Sequence, residues 1–138
     1  MHFVVGGAFQ GKRKWVRERY GISEGVHIVW HDGYQEPYRL PDDIKMAKIV
    51  VFDGLEAAIR RFPNAEEWEQ FFRTWQQWQD EAAGRTVIWV GTDITQGVVP
   101  TEREDRRWRD VVGICYQRLA AICCRVDRIW CGLAERLK

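Results

Sequence analysis

The stretch GGAFQGKR, Gly6 to Arg13, directly follows the apolar run Phe3-Val4-Val5 and leads toward a charged, helix-forming segment. Its spacing is that of a phosphate-binding loop, in which successive backbone N–H groups and the first turn of the next helix face an anion. On this pattern Gly6, Gly7, Ala8, Phe9, Gln10 and Gly11 form the cradle, and Lys12 supplies a mobile point charge for the β- and γ-phosphates. The residue after the lysine should carry a hydroxyl to hold Mg2+. It is Arg13, which can neutralise phosphate but cannot ligate a cation.

Carboxylates recur after other apolar runs. Asp53 closes AKIVVFDG and stands where a metal-holding carboxylate belongs; a helix N-cap is its plainer role. Asp93 closes TVIWVGTD and can act on a metal or on an attacking hydroxyl. His31-Asp32 follows HIVW. Farther on, Arg103, Arg106 and Asp110 share one face of a helical stretch, broadened by Arg107 and Arg109, and a guanidinium fork there could grip phosphate.

These groups need elements to carry them. Strands are expected at Phe3–Val5, Val26–Trp30, within AKIVVFDG, within TVIWVGTD and at Asp127–Cys131. Helices are expected at Lys12–Arg19, over LEAAIRRF, from Ala65 to about Ala83 with Asn64 as cap and Gly84 as stop, and from Glu102 to about Arg125. The last would begin with Thr101 and Glu104 as a capping box. Strand–helix alternation with apolar strands predicts an α/β fold, a mainly parallel sheet covered on both faces, in one domain over residues 1–138. In such a sheet the loop, His31-Asp32, Asp53 and Thr92-Asp93 gather beyond the carboxyl ends of the strands, where ligands bind.

Composition narrows the partners. A net charge of +1 gives no global field for nucleic acid or an acidic membrane. No apolar run reaches the length of a membrane span, and the sequence near Met1 lacks a leader pattern, so the cytosol is the expected setting. The four cysteines (Cys115, Cys123, Cys124, Cys131) lack zinc spacing and read as packed or surface thiols. Trp68, Phe71, Phe72, Trp75 and Trp78 recur at three- and four-residue steps, making one aromatic face that suits a core or a subunit contact better than stacked bases.

With the loop in place, GVVPTEREDRRWRD (Gly97 to Asp110) resembles the G-I-V-P-E-N-R-x-x-R-x-F-R-D stretch of the bifunctional adenosylcobinamide kinase/adenosylcobinamide-phosphate guanylyltransferases. Gly113, QRLA and VDRIWCGL fit the later part of that family's sequence, up to its closing strand and glycine. The resemblance implies a P-loop NTPase-like three-layer sandwich, often a homotrimer, using ATP or GTP with Mg2+ to phosphorylate adenosylcobinamide and then transfer GMP through a histidine. By position it implies that Gly6–Lys12 hold triphosphate, that Asp53 and Asp93 match the family's acidic positions after the corresponding strands, and that Arg103 and Arg106 match its helix arginines. With the residue readings above, Asp53 is the metal candidate, Lys12 and Asp93 the catalytic ones, and Arg13, a departure from the family, joins Arg103 and Arg106 as a nucleotide contact. The family's histidine-bearing helix is shortened here to a stretch from His31 to Asp43. In it His31, at the strand end ahead of DGYQEP, is the candidate guanylyl acceptor by its likeness to the family's histidine-to-proline stretch. Thr95 replaces a family glycine. The alternative is a non-catalytic member that binds nucleotide as a regulatory or scaffold subunit.

Overall fold

The computed structural model describes residues 1–23, 27–44 and 46–138. Six strands form one sheet in the order β2-β3-β4-β1-β5-β6. They are β1 (His2–Gly6), β2 (Ile28–Asp32), β3 (Ile49–Asp53), β4 (Thr86–Thr92), β5 (Arg125–Trp130) and β6 (Leu133–Arg136). The first five run parallel, and β6 turns back antiparallel on β5. The helices are α1 (Lys12–Arg19), α2 (Leu55–Arg61), α3 (Ala65–Asp80) and α4 (Arg103–Ile122).

Side-chain alternation along the strands builds two unequal layers. Val4, Val51, Ile88, Val90 and Ile129 face α1 and pack with its Val16. Phe3, Val50, Phe52, Val87, Trp89 and Val126 face the other way, onto α2, α3 and α4. The sheet is thus covered on both faces, in a three-layer α/β sandwich of the P-loop kind. The aromatic face of α3 is core: Phe72 and Trp75 are fully buried, with Trp68 and Trp78 nearly so. Trp89 stacks on Phe52 at 4.3 Å and meets the edge of Phe72 at 4.9 Å.

Several boundaries differ from the expectations. Val26 lies outside the described residues, and β2 runs on to Asp32 because His31 and Asp32 pair with Phe52 and Asp53. Asn64 does cap α3, its side chain accepting from the amides of Glu66 and Glu67, but the helix stops at Asp80. The Thr101–Glu104 capping box does not form: Glu102 is the N-cap of α4 without a side-chain bond. Strand β6 has no apolar alternation to announce it, all four of its residues being exposed. No helix among the described residues is long and apolar enough to cross a membrane.

Candidate phosphate-binding site

The glycine loop joins β1 to α1 at the carboxyl end of the parallel strands. Gly6 allows the chain to leave the sheet tightly, since a Cβ there would lie 2.3 Å from the carbonyl oxygen of Ile129. Gly11 caps α1 in the left-handed region (φ 90°), which a side chain would resist. The first turn of α1 carries no acidic residue and no side-chain cap, so its leading amides face outward with positive polarity. Lys12 folds back over the loop, its Nζ donating to the carbonyls of Gly6 (3.1 Å) and Gly7 (2.7 Å). Burial holds the Lys12 ammonium below the usual lysine range, opposed by the charges of Glu56 and Asp53.

The β5–β6 turn braces the loop from behind. The Gly132 amide donates to the carbonyl of Gln10 (2.9 Å), and the Cys131 amide donates to the side-chain oxygen of Gln10 (2.6 Å). Gln10 is therefore a loop fastener, and Phe9 stands fully exposed at the loop tip with φ 57°.

Beside Lys12 the strand ends bring three carboxylates together. Asp53, at the end of β3, is buried, and burial pushes its carboxyl above the usual range while Arg13 opposes that shift. Arg13 Nε sits against Asp53 Oδ2 as an ion pair, yet that oxygen has no aligned hydrogen-bond donor. Arg13 Nη2 also reaches Asp32 Oδ2 at 3.3 Å. The third carboxylate, Glu56 in the first turn of α2, is buried among groups from three other places in the chain. The Thr92 amide donates to it at 2.7 Å, Tyr34 donates its hydroxyl, and Tyr116 approaches at 3.4 Å. That setting pushes the Tyr34 phenol up to about 12, through burial and the bond to Glu56.

The donor set does not fit Mg2+. The position that should offer a hydroxyl offers a guanidinium, and that cation already lies on Asp53 and Asp32. Among the described residues, no cluster of three or more His, Cys, Asp or Glu is placed to hold a metal ion.

On the other side of the loop a cleft of about 370 Å³ opens between β4, β1 and β5, lined by Gly6, Gly7, Gln10, Asp93, Arg128 and Trp130, among others. The Asp93 amide donates to the Gly6 carbonyl, tying the β4 end to the loop. Its Oδ1 accepts from Thr95 N (3.0 Å) and Thr95 Oγ1 (2.6 Å), which fixes the carboxylate at the cleft. Thr95 thus orients Asp93.

The remaining sequence candidates face protein groups or solvent. His31 stays inside β2, where alternation sends its ring to the thick layer, away from the loop. There it is 3 % exposed and stacked on Phe52 at 4.9 Å, and burial holds its imidazole below the usual histidine range. Arg106 donates to the carbonyls of Pro100 (3.1 Å) and Thr101, and Arg109 to those of Thr95, Val98 and Gly97. Both bind the loop between β4 and α4 to the helix. Arg103 is exposed at the start of α4.

Sequence reasoning missed Glu56, Tyr34 and Tyr116. Glu56 reads as an ordinary helix-surface residue in LEAAIRR, and nothing local to it reveals partners 22, 36 and 60 residues away.

The family model for cobinamide kinase/cobinamide phosphate guanyltransferase matches residues 30–137. No curated protein matches the chain. The match begins downstream of the glycine loop, so the loop is placed by its own geometry.

Proposed function

Since this chain belongs to the cobinamide kinase/cobinamide phosphate guanyltransferase family, and so to cobalamin biosynthesis, we propose that it binds a nucleoside triphosphate at Gly6–Lys12 and phosphorylates the hydroxyl of adenosylcobinamide. Family members use nucleoside triphosphates. The observation that carries the reading is Lys12, held over the loop carbonyls at the open N-terminus of α1. Released from Gly6 and Gly7, its ammonium would meet the β- and γ-phosphates.

The acceptor hydroxyl would enter the cleft beside Gly6 and Asp93. Its oxygen attacks the γ-phosphorus while the bond from that phosphorus to the β,γ-bridging oxygen breaks. The hydroxyl proton passes to the Asp93 carboxylate, and the nucleoside diphosphate leaves. Positioning by Thr95 suits Asp93 for that proton.

The guanylyl half has less support. His31 would have to attack an α-phosphorus, and a ring stacked on Phe52 and almost fully buried opposes that role. The second reading, a nucleotide-binding member without catalysis, is favoured by one observation: Arg13 occupying Asp53 and Asp32.

Incubation with γ-labelled ATP or GTP and adenosylcobinamide tests these readings. Transfer of label to the corrinoid is expected, with Asp93→Asn slowing turnover by roughly 100-fold or more. Nucleotide binding without transfer would favour the non-catalytic reading. Acid-labile protein label from α-labelled GTP, removed by His31→Ala, would restore the guanylyl half.

A further inference from the structure

Arg13 is held from three directions. Its Nε lies against Asp53, its Nη2 is 3.3 Å from Asp32, and its guanidinium carbon is 5.8 Å from the centre of the Tyr34 ring. Asp32 is itself oriented, accepting from the Tyr34 amide (3.0 Å) and from Gln35 Nε2 (3.2 Å). The two carboxylates are register partners at the ends of β2 and β3, so the sheet fixes their spacing. Arg13 keeps 52 % of its side chain exposed, whereas that of Asp53 is 5 % exposed. One edge of the guanidinium thus engages carboxylates while another remains open.

Without that cation the strand ends would present two carboxylates beside the loop, with Asp53 competing with an incoming triphosphate for the charge of Lys12 and both repelling the anion. A divalent metal is the usual remedy. Here a planar cation with several fixed donors already fills the place, and it can face carboxylate and phosphate together.

We infer that Arg13 is a built-in counter-cation, neutralising the Asp32–Asp53 pair in place of a divalent ion, so that triphosphate binds this loop without Mg2+. The inference rests on the nucleotide reading above. Arg13 is here a positioning and charge-balancing residue, and no metal-borne step is assigned to the site.

Calorimetric titration with ATP and with GTP, in EDTA and in Mg2+, tests it on the unmodified protein. Affinity should differ between the two conditions by less than about twofold. Arg13→Ser should bind about tenfold more weakly in EDTA and recover in Mg2+, because serine restores a hydroxyl ligand while freeing the carboxylates. Circular dichroism confirms that the variant is folded. The unmodified arm needs no variant, so it decides the matter even if Arg13→Ser fails to fold. Wild-type affinity that collapses about tenfold or more in EDTA would overturn the inference and leave the nucleotide site standing. An Arg13→Ser protein that binds as tightly as wild type in EDTA would overturn it too. Absence of binding in every wild-type arm would sink the nucleotide reading, and the inference with it.

Discussion

Lys12→Ala is expected to weaken nucleoside triphosphate binding by roughly 30- to 100-fold, about 2–3 kcal/mol. The lysine lies directly over the loop, and its hydrogen bonds to phosphate would be charge-assisted and largely shielded from water. Burial already disfavours its charged form, so an anion that pairs with it recovers stabilisation that the Gly6 and Gly7 carbonyls provide only in part. The effect should appear in affinity for the triphosphate and be much smaller for the nucleoside. Calorimetry with both ligands separates the cases, and equal affinity of variant and wild type for triphosphate would remove Lys12 from the site.

The second large effect concerns the scaffold. Trp89→Ala should cost about 3–5 kcal/mol, a large share of the roughly 5–15 kcal/mol typical of a domain. Trp89 is fully buried in β4, stacked on Phe52 from β3 and meeting Phe72 of α3 edge-on. Its indole N–H points at the Met1 sulfur, 3.3 Å away. Deletion would open a void between the sheet and α3 that the rigid strand on either side cannot close. Because Asp53 and the Thr92 amide extend from the same two strands, the loss should loosen the site as well. Urea denaturation measures it; a change below about 1 kcal/mol would mean that the aromatic cluster is not the centre of the core.

The features legible in the sequence are those that depend on neighbours along the chain. Helix α1 is announced by a glycine ahead of a charged run, the Asn64 cap by its place before Ala65, and the aromatic face of α3 by its three- and four-residue steps. The order of strands and helices rests on the same local signals. The hidden features depend on distant partners. The end of β2 is one of them, because pairing with Phe52 and Asp53 is what extends the strand through His31 and Asp32. That shift of two residues makes His31 a packed group rather than a strand-end one. The expected capping box fails because α4 begins one residue later than expected, putting Glu102 rather than Thr101 at the N-cap, while Arg106 bonds the Pro100 and Thr101 carbonyls. The same contact binds Arg106 to protein carbonyls, where the sequence pattern predicts phosphate.

Arg13 lies between these extremes. The missing hydroxyl is plain in GGAFQGKR, but its consequence is not. Only the fold shows that the replacement side chain reaches Asp32 and Asp53, register partners at the ends of β2 and β3.

Whether the Gly6–Lys12 loop cradles a triphosphate is decided by titrating 15N-labelled protein with a slowly hydrolysed GTP or ATP analogue and following the backbone amides. The largest shifts should fall on Gly7 to Arg13, with smaller ones at Thr92 and Asp93. Shifts confined to the groove of Tyr38, Phe62 and Trp68, with the loop amides unmoved, would contradict it.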